Sequence, residues 1–165
     1  MAFDAFLKLS TGGINDQIVI QGESQDKNHP GEIEIESFSW GVSNPATLGS
    51  SGGGAGSGKA SVSSLNFLGP LSKASPNLML ACATGKHIPQ AVLTCRKAGG
   101  PTQVEFLKIK LSDVLVESYQ ESGNIGGDFP EDSFSLFFVK IDFLYTVART
   151  GEVVETSFDQ SQTGG

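Results

Sequence analysis

The chain has 165 residues, of which 38% are hydrophobic and 18% are charged, a composition typical of a folded protein. Its net charge of −7 argues against nucleic-acid binding, because an acidic surface repels phosphates. No apolar run approaches the roughly 20 residues that a membrane helix needs, so membrane insertion is not expected. The length fits one domain over residues 1–165.

The N-terminal residues mix apolar and polar side chains, without the basic start and small-residue cleavage site of a Sec signal peptide. We therefore expect a protein that is made in the cytoplasm and leaves, if it leaves, in folded form. Alternation begins at once and predicts a first strand. Its apolar face consists of Phe3, Ala5, Leu7 and Leu9.

A second alternating segment changes phase as it proceeds. Its apolar positions are odd-numbered up to Ile35 and even-numbered from Phe38 onward. A period-2 pattern that slips by one residue predicts a β-bulge, here near Glu36. After the slip, the large residues Phe38, Trp40 and Val42 are expected to pack on the core. The opposite face is small, polar and uncharged, and consists of Ser37, Ser39, Gly41 and Ser43.

A glycine-rich connection follows, from Asn44 to Lys59. It contains the spacing G-x-x-x-x-G-K, but the Ser or Thr of a phosphate-binding loop is replaced by Ala60, and a strand pattern follows where a helix is needed. Long connections without secondary structure are usually functional or disordered, so both interpretations stay open. The candidate contact positions in this loop are Asn44, Gly49, Gly53, Gly56 and Lys59.

One helix is expected after residue 74. Ser75 is the predicted N-cap, Pro76 suits the first turn, and Gly85 is the predicted left-handed stop. Because it is short, we expect it to close one end or flank of the strands. A regular strand over 91–95 and a turn over 97–102 come next.

The remaining strands are long and slip repeatedly, with apolar phases that change after Phe106, Leu111 and Leu136. A sheet that coils strongly enough to close on itself needs such irregularities. The predicted fold class is therefore all-β with one short helix. Its architecture is a small β-barrel or a tightly coiled two-sheet sandwich.

Candidate catalytic groups are sparse. The histidines, His29 and His87, lie in turn-like stretches without a nucleophile motif, so we expect them at the surface or at an interface. The acidic group at 128–132 matches no calcium loop and is predicted to be a solvated loop. The cysteines, Cys82 and Cys95, are predicted to be small buried hydrophobes. No catalytic residue, metal site or cofactor is predicted.

Several segments resemble the haemolysin-coregulated protein (Hcp) family. Gly22–His29, followed by Phe38–Gly41, resembles its GES-x-D-x-x-H … WSWG signature. Ser75–His87 is similar to its helix and following turn, and Pro89–Gly100 to its next strand and hairpin. Phe38 stands where the signature has its first Trp. Residues 151–155 resemble the closing strand, after which Phe158 replaces a frequent Trp.

The resemblance implies a β-barrel subunit that forms a hexameric ring. Rings of this family stack into the tube of the type VI secretion machine, which a contractile sheath propels and a VgrG-type spike protein caps. Small effector proteins can travel in the lumen, and secretion uses no signal peptide. In this setting the Asn44–Lys59 loop is the candidate for ring stacking, and the Ser37–Ser43 face is the candidate for the lumen.

Alternatives remain open from the residues. The Ser37–Ser43 face could instead look outward to solvent or sheath, and the Asn44–Lys59 loop could be a flexible connection. At the level of function, a barrel that holds a small apolar ligand and an enzyme are the alternatives to a tube protein.

Overall fold

The computed structural model describes residues 2–11, 18–48, 55–57, 59–99 and 103–162, with only the backbone described for 46–48 and 55–57. Gly49 and Gly53 lie outside the described residues. The strands are β1 (Phe3–Ser10), β2 (Ile33–Ile35), β3 (Ser37–Ser39), β4 (Val42–Ser43), β5 (Ala46–Leu48), β6 (Ala55–Ser57), β7 (Ser61–Val62), β8 (Leu65–Pro70), β9 (His87–Lys97), β10 (Glu105–Ser122), β11 (Glu131–Thr146) and β12 (Val153–Asp159). Helix α1 spans Ser75–Thr84, and a 3₁₀ turn spans Gln160–Gln162.

The main sheet closes on itself through one segment of chain. Its strands are ordered β2-β1-β9-β10-β11-β8-β3, and β12 pairs with β11. Because β2 and β3 are separated only by Glu36, the two ends of this order belong to the same segment. The Glu36 N–H donates to the Leu68 carbonyl (2.8 Å), where the segment leaves β1 and joins β8. The predicted β-barrel and the predicted irregularity at Glu36 are therefore confirmed.

The barrel interior is filled by side chains from the strands of the main sheet and from the helix, and Phe38 of β3 and Phe158 of β12 are partly buried against it. Burying each large apolar side chain contributes about 1.5–3 kcal/mol relative to leaving it exposed. Cys95 lies in this core as predicted, whereas Cys82 is half-buried, and both are free thiols. The largest fully buried side chains are Phe138, Leu7, Leu65, Leu78, Ile88, Leu93, Ile109, Leu111, Leu136, Val114 and Cys95.

Two of the predicted phase slips are confirmed and one is misplaced. The β9–β10 register shifts between Glu105 and Leu107. In β11 the predicted slip after Leu136 is wrong, because Phe138 is buried and Phe137 is 41% exposed. In β11 the buried positions change from even-numbered to odd-numbered residues between Phe138 and Ile141. The paired part of β10 makes the opposite change after Leu111, where Asp113 has a φ of 56°. Both strands thus change phase at the same place, which keeps their apolar faces together.

Helix α1 packs its buried residues Leu78 and Ala81 into the core beside β10. Gly85 ends it in the left-handed conformation (φ 65°), as predicted. The predicted N-cap is wrong, because Ala74 occupies that position. Ser75 lies in the first turn, and its hydroxyl accepts the Ser72 N–H (3.0 Å) and donates to Asp132.

The chain between β3 and β8 forms a two-stranded ribbon. β3 pairs with β8, β4 with β7, and β5 with β6, and the register shifts by one residue from each pair to the next. The interpretation of Asn44–Lys59 as a connection without secondary structure is therefore wrong over the described residues. Val42, predicted to pack on the core, is 62% exposed because the ribbon has left the barrel by this point.

Candidate functional site

Four adjacent strands share a polar outer face, which we call the polar wall. Register places Ser39, Asn66, Ser135 and Ser118 side by side across β3, β8, β11 and β10. The next row of the polar wall consists of Ser37, Leu68, Ser133 and Gln120. Seven of these eight side chains are polar, and none carries a charge.

The polar wall is backed by aromatic packing. Between its two rows lies a row that points inward, made of Phe38, Phe67, Phe134 and Tyr119. The rings of Phe67 and Phe134 stack with centroids 5.2 Å apart. The wall is therefore the outer surface of a close-packed layer. Such a layer holds its shape, because core side chains interdigitate with few voids.

The predicted lumen residues divide between two parts of the molecule. Ser37 and Ser39 are exposed on the polar wall, whereas Gly41 and Ser43 are exposed on the ribbon. Gly41 is held at the base of the ribbon, where its N–H donates to the Ser63 hydroxyl (2.8 Å). Trp40, predicted to pack on the core, is half-buried against Phe143, with ring centroids 5.8 Å apart.

The predicted stacking residues that the structure describes all lie on the ribbon. Asn44 and Lys59 are exposed near its middle. Gly56 is in β6 opposite Thr47. Because both strands are paired, this part of the chain is a defined arm and can present its outer edges to a neighbour.

A second polar group lies over β1 and β9, where the segment Gly22–Glu32 covers the outer face of the sheet. Arg96 on β9 is 4% exposed, and both of its terminal nitrogens donate to the Asp26 carboxylate, one at 2.9 Å. Its Nε donates to Asp4 (3.4 Å), and its guanidinium lies 4.9 Å from the centre of the Phe6 ring. The hydrogen bonds from Arg96 lower the pKa of Asp26 to about 2.

His29 completes this group, which we call the anchor cluster: Asp4, Phe6, Asp26, His29, Glu32, Arg96 and Glu105. Each ring nitrogen of His29 lies 2.8 Å from a carboxylate oxygen, on Glu32 and on Glu105. Its ring stacks on Phe6 with centroids 4.6 Å apart. The imidazole ring therefore bridges a carboxylate of the covering segment and a carboxylate of β10.

The expectation that His29 lies at the surface or an interface is wrong within this chain, where the residue is buried. Arg96 and Asp26 were not predicted as partners, because they are 70 positions apart in the chain. One signal was available, namely Phe6. A large aromatic residue on the supposed solvent face of β1 indicates that another segment covers that face. His87, by contrast, is exposed beside Asp113, with 3.0 Å between its Nε2 and the carboxylate.

Asp132 corrects a further expectation. It was predicted to belong to a solvated acidic loop, but it is buried. It accepts hydrogen bonds from the hydroxyls of Ser75 and Tyr119, the latter at 2.7 Å. Burial, together with the bond to Asp132, raises the pKa of Tyr119. The acid therefore ties the start of α1 to β10 and β11. Asp128 stays exposed, and Glu131 is partly buried.

The described part of the chain holds no group of three or more His, Cys, Asp and Glu side chains placed to bind a metal ion. Among the same residues, α1 is the longest helix and is far too short to cross a bilayer.

Comparison with known proteins places this architecture in a family. Residues 6–145 match the family described as type VI secretion system effector, Hcp. The chain is 43% identical over 145 residues to protein hcp1 of Pseudomonas aeruginosa, covering 88% of this chain and 84% of that protein. The crystal structure of Hcp1 from Salmonella typhimurium is similar, with a TM-score of 0.79, 35% identity, and coverage of 99% of this chain and 98% of that one. A type VI secretion system effector from Yersinia pestis gives a TM-score of 0.74 at 31% identity, covering 94% of this chain and 99% of that one. The chain therefore belongs to the Hcp family of type VI secretion system effectors.

Proposed function

We propose that the whole chain, 1–165, is one ring-forming subunit of the type VI secretion tube, in which six copies close a ring, rings stack, and small effector proteins pass through the lumen. The observation that carries this proposal is the polar wall. A channel that admits varied cargo needs a surface without strong binding sites. Small neutral side chains provide one, whereas charged or bulky ones would attract or block particular partners.

The composition of the polar wall favours the lumen over the other orientations. The chain carries 29 Lys, Arg, Asp and Glu residues, yet none lies among the eight wall positions. A sheet face that meets bulk solvent normally carries charges, because they are the most strongly hydrated side chains. Glu117, at the margin of the wall, is bonded to the Ser64 hydroxyl.

Ring closure is supported by two open sheet edges. β12 pairs only with β11 among the described residues, and the ribbon is paired only within itself beyond β3 and β8. Between these two elements lies an apolar groove of about 250 Å³. Its apolar lining comes from Trp40, Val42, Val62, Ile141, Phe143 and Phe158. We propose that these elements meet a neighbouring copy head to tail, which satisfies the open edges within a closed ring.

The ribbon is the proposed stacking arm. Eleven residues from Phe38 to Leu48 in an extended strand reach about 35 Å, which is enough to cross to an adjacent ring. Removing residues 46–57 deletes β5 and β6 together. Residues 44–45 and 58–60 then form a short connection between β4 and β7. We expect this variant to form single rings and to lose stacked tubes. Unchanged tubes and unchanged secretion would refute the stacking role.

The remaining partners follow from the tube role. We propose a VgrG-type spike at the tube end, a contractile sheath around it, and export without a signal peptide. The proposed role is structural rather than enzymatic. In support, the buried Arg96 and Asp132 and the partly buried Asp26 are already bonded to partners within the chain, which suits them to holding the fold. The side chains that fill the barrel interior argue against a ligand barrel.

Particle size provides the first test. The purified chain is measured by gel filtration with light scattering at high micromolar concentration and moderate salt. We expect the mass of six subunits, and rings with an open centre by negative-stain electron microscopy. A monomer under these conditions would refute the proposed function.

A further inference from the structure

The hairpin between β10 and β11 ends in an exposed apolar tip, residues 123–130. Ile125 is fully exposed, and Phe129 is 66% exposed. Two neighbouring large apolar side chains held out on a turn lose the stabilisation that burial provides, so a partner that covers them gains it. Asp128 lies beside them and is also exposed.

The opposite end of the same hairpin carries a pocket, which we call the base pocket. It lies where β10 begins and β11 ends, with a cavity volume of about 380 Å³. Two of its aromatic side chains, Phe3 and Tyr145, are 45% and 46% exposed. The residues that line it are Ala2, Phe3, Lys97, Phe106, Tyr145 and Ala148.

We infer that the apolar tip of one copy inserts into the base pocket of a second copy, so that the tip-to-base contact joins successive rings. This inference rests on the proposed function, since it places the second copy in the next ring of the stack. The tip supplies the inserted apolar side chains, and the base pocket supplies the aromatic walls.

Charge supports a second copy of this chain as the occupant. Between Lys110 and Lys140 the chain has no Lys, Arg or His, and Glu121, Asp128 and Glu131 lie at or beside the tip, so the tip end of the hairpin is acidic. At the other end, Lys97 lines the base pocket. Arg149 follows Ala148 in the exposed turn after β11. Opposite charges therefore face each other when two copies align end to end.

Geometry favours a contact that repeats. The tip and the base pocket lie at opposite ends of the paired strands β10 and β11. One copy therefore cannot bring its own tip into its own base pocket, and the contact joins different copies. A head-to-tail contact of this kind leaves one free tip and one free base pocket after each addition, and so builds an open stack.

Disulfide trapping tests the contact directly. Two single variants, Gly126→Cys at the tip and Ala148→Cys at the base pocket, are made in a Cys82→Ser background. A Cβ at Gly126 meets nothing closer than 3.9 Å, so the fold should accept it. We expect a disulfide-linked dimer when the two proteins are mixed under mild oxidation, and none from either variant by itself.

The other outcomes are equally informative. A dimer from Gly126→Cys without its partner indicates a tip-to-tip contact and refutes the inference. A double variant carries Gly126→Cys and Ala148→Cys in the same chain. If it crosslinks in isolated rings that are not stacked, the contact lies within a ring and the inference is also refuted. If rings and tubes form but the mixture gives no dimer, the inference fails while the proposed function stands. If no six-subunit ring forms, the proposed function itself fails.

A second measurement avoids cysteine chemistry. Phe129→Ser removes an exposed ring, so the subunit should fold and form rings normally. We expect ring-to-ring association to weaken by about 10- to 100-fold, from the loss of one buried aromatic side chain. Asp128→Lys should also weaken stacking, and Lys97→Glu should partly restore it in the double variant. If rings of Phe129→Ser associate with one another as strongly as wild-type rings do, the inference is overturned.

Discussion

The anchor cluster and the polar wall use polar side chains in opposite ways. In the anchor cluster, charged groups are brought together under a covering segment, and Arg96 and His29 are both buried between acidic partners. The polar wall spreads neutral hydroxyl and amide groups over four strands, with Ser37, Ser39 and Asn66 open to solvent. Both regions lie on the outer face of the same barrel sheet.

The residues that identify the family therefore differ largely from the residues to which we assign a function. A buried charge without its partner is costly, so the anchor cluster permits few residue types and leaves a recognisable motif. Small neutral residues on an exposed face have little effect on stability, so most positions of the polar wall carry little that identifies the family. The Gly22–His29 part of the signature belongs to the covering segment, and Ser39 is the one wall residue within the signature.

The largest effect is expected from Arg96→Met, which leaves Asp26 and Asp4 facing each other without a cation. Breaking a buried ion pair from one side is strongly destabilising, and we expect Tm to fall by about 10 °C or more. Lys140→Met is the matched control outside the anchor cluster, because Lys140 on β11 is 3.9 Å from Asp142 and its side chain is 44% exposed. It should change Tm by no more than about 2 °C. Equal effects in a thermal melt would show that the anchor cluster is no more important than a surface pair.

Gly22→Ala comes next. A Cβ there would lie 2.6 Å from the Ile33 Cα and closer still to the Glu32 carbonyl oxygen, so the covering segment must shift. Overpacking of this kind costs about 1–3 kcal/mol, measurable by urea unfolding. Gly41→Ala is the control, since nothing lies within 4 Å of its Cβ position, and it should be close to neutral. A neutral Gly22→Ala would mean that the segment is held loosely.

Acid should weaken the anchor cluster before it affects the neutral polar wall. The pKa of Asp26 falls from its ordinary 3.8 to about 2, so Asp26 adds stability above pH 4 that is lost as pH falls toward 2. Asp26→Asn lacks this contribution. The stability difference between wild type and Asp26→Asn should therefore be constant near neutral pH and shrink between about pH 4 and 2. A difference independent of pH would contradict the ion pair as its source.

The smallest effect on stability, and a large one on function, is expected from Ser39→Gln on the polar wall. The added bulk faces solvent, so we expect the unfolding free energy to stay within about 0.5 kcal/mol and rings to form. Carriage of a lumen-bound effector should fall, as measured by co-purification. Thr84→Gln, at the exposed end of α1, adds similar bulk away from the wall and should leave carriage unchanged.

Two outcomes would contradict this assignment. Wild-type carriage by Ser39→Gln would mean that the polar wall does not line the lumen. Loss of rings would mean that it is an interface between copies.

Periodicity predicted the parts of the fold that depend on neighbours along the chain. The slip at Glu36 was visible because the apolar positions change from odd to even, and Ser37 and Ser39 were visible because the strand alternates. Asn66, Ser118 and Ser135 were not identified, because their place in the polar wall is fixed by register between strands. Glycines suggested a loop over Asn44–Lys59, although backbone pairing turned its described part into a ribbon.

The segment that closes the barrel also determines how the subunit bears force. Residues 33–35 are bonded to β1 and residues 37–39 to β8. A force that pulls on the ribbon is therefore transmitted along this strand to its hydrogen bonds with both β1 and β8. Loading in this direction shears the ladders, and their hydrogen bonds have to break together instead of one after another. A subunit pulled by its arm should therefore resist at the point where its sheet closes, which is a mechanical demand that a tube driven from the cell has to meet.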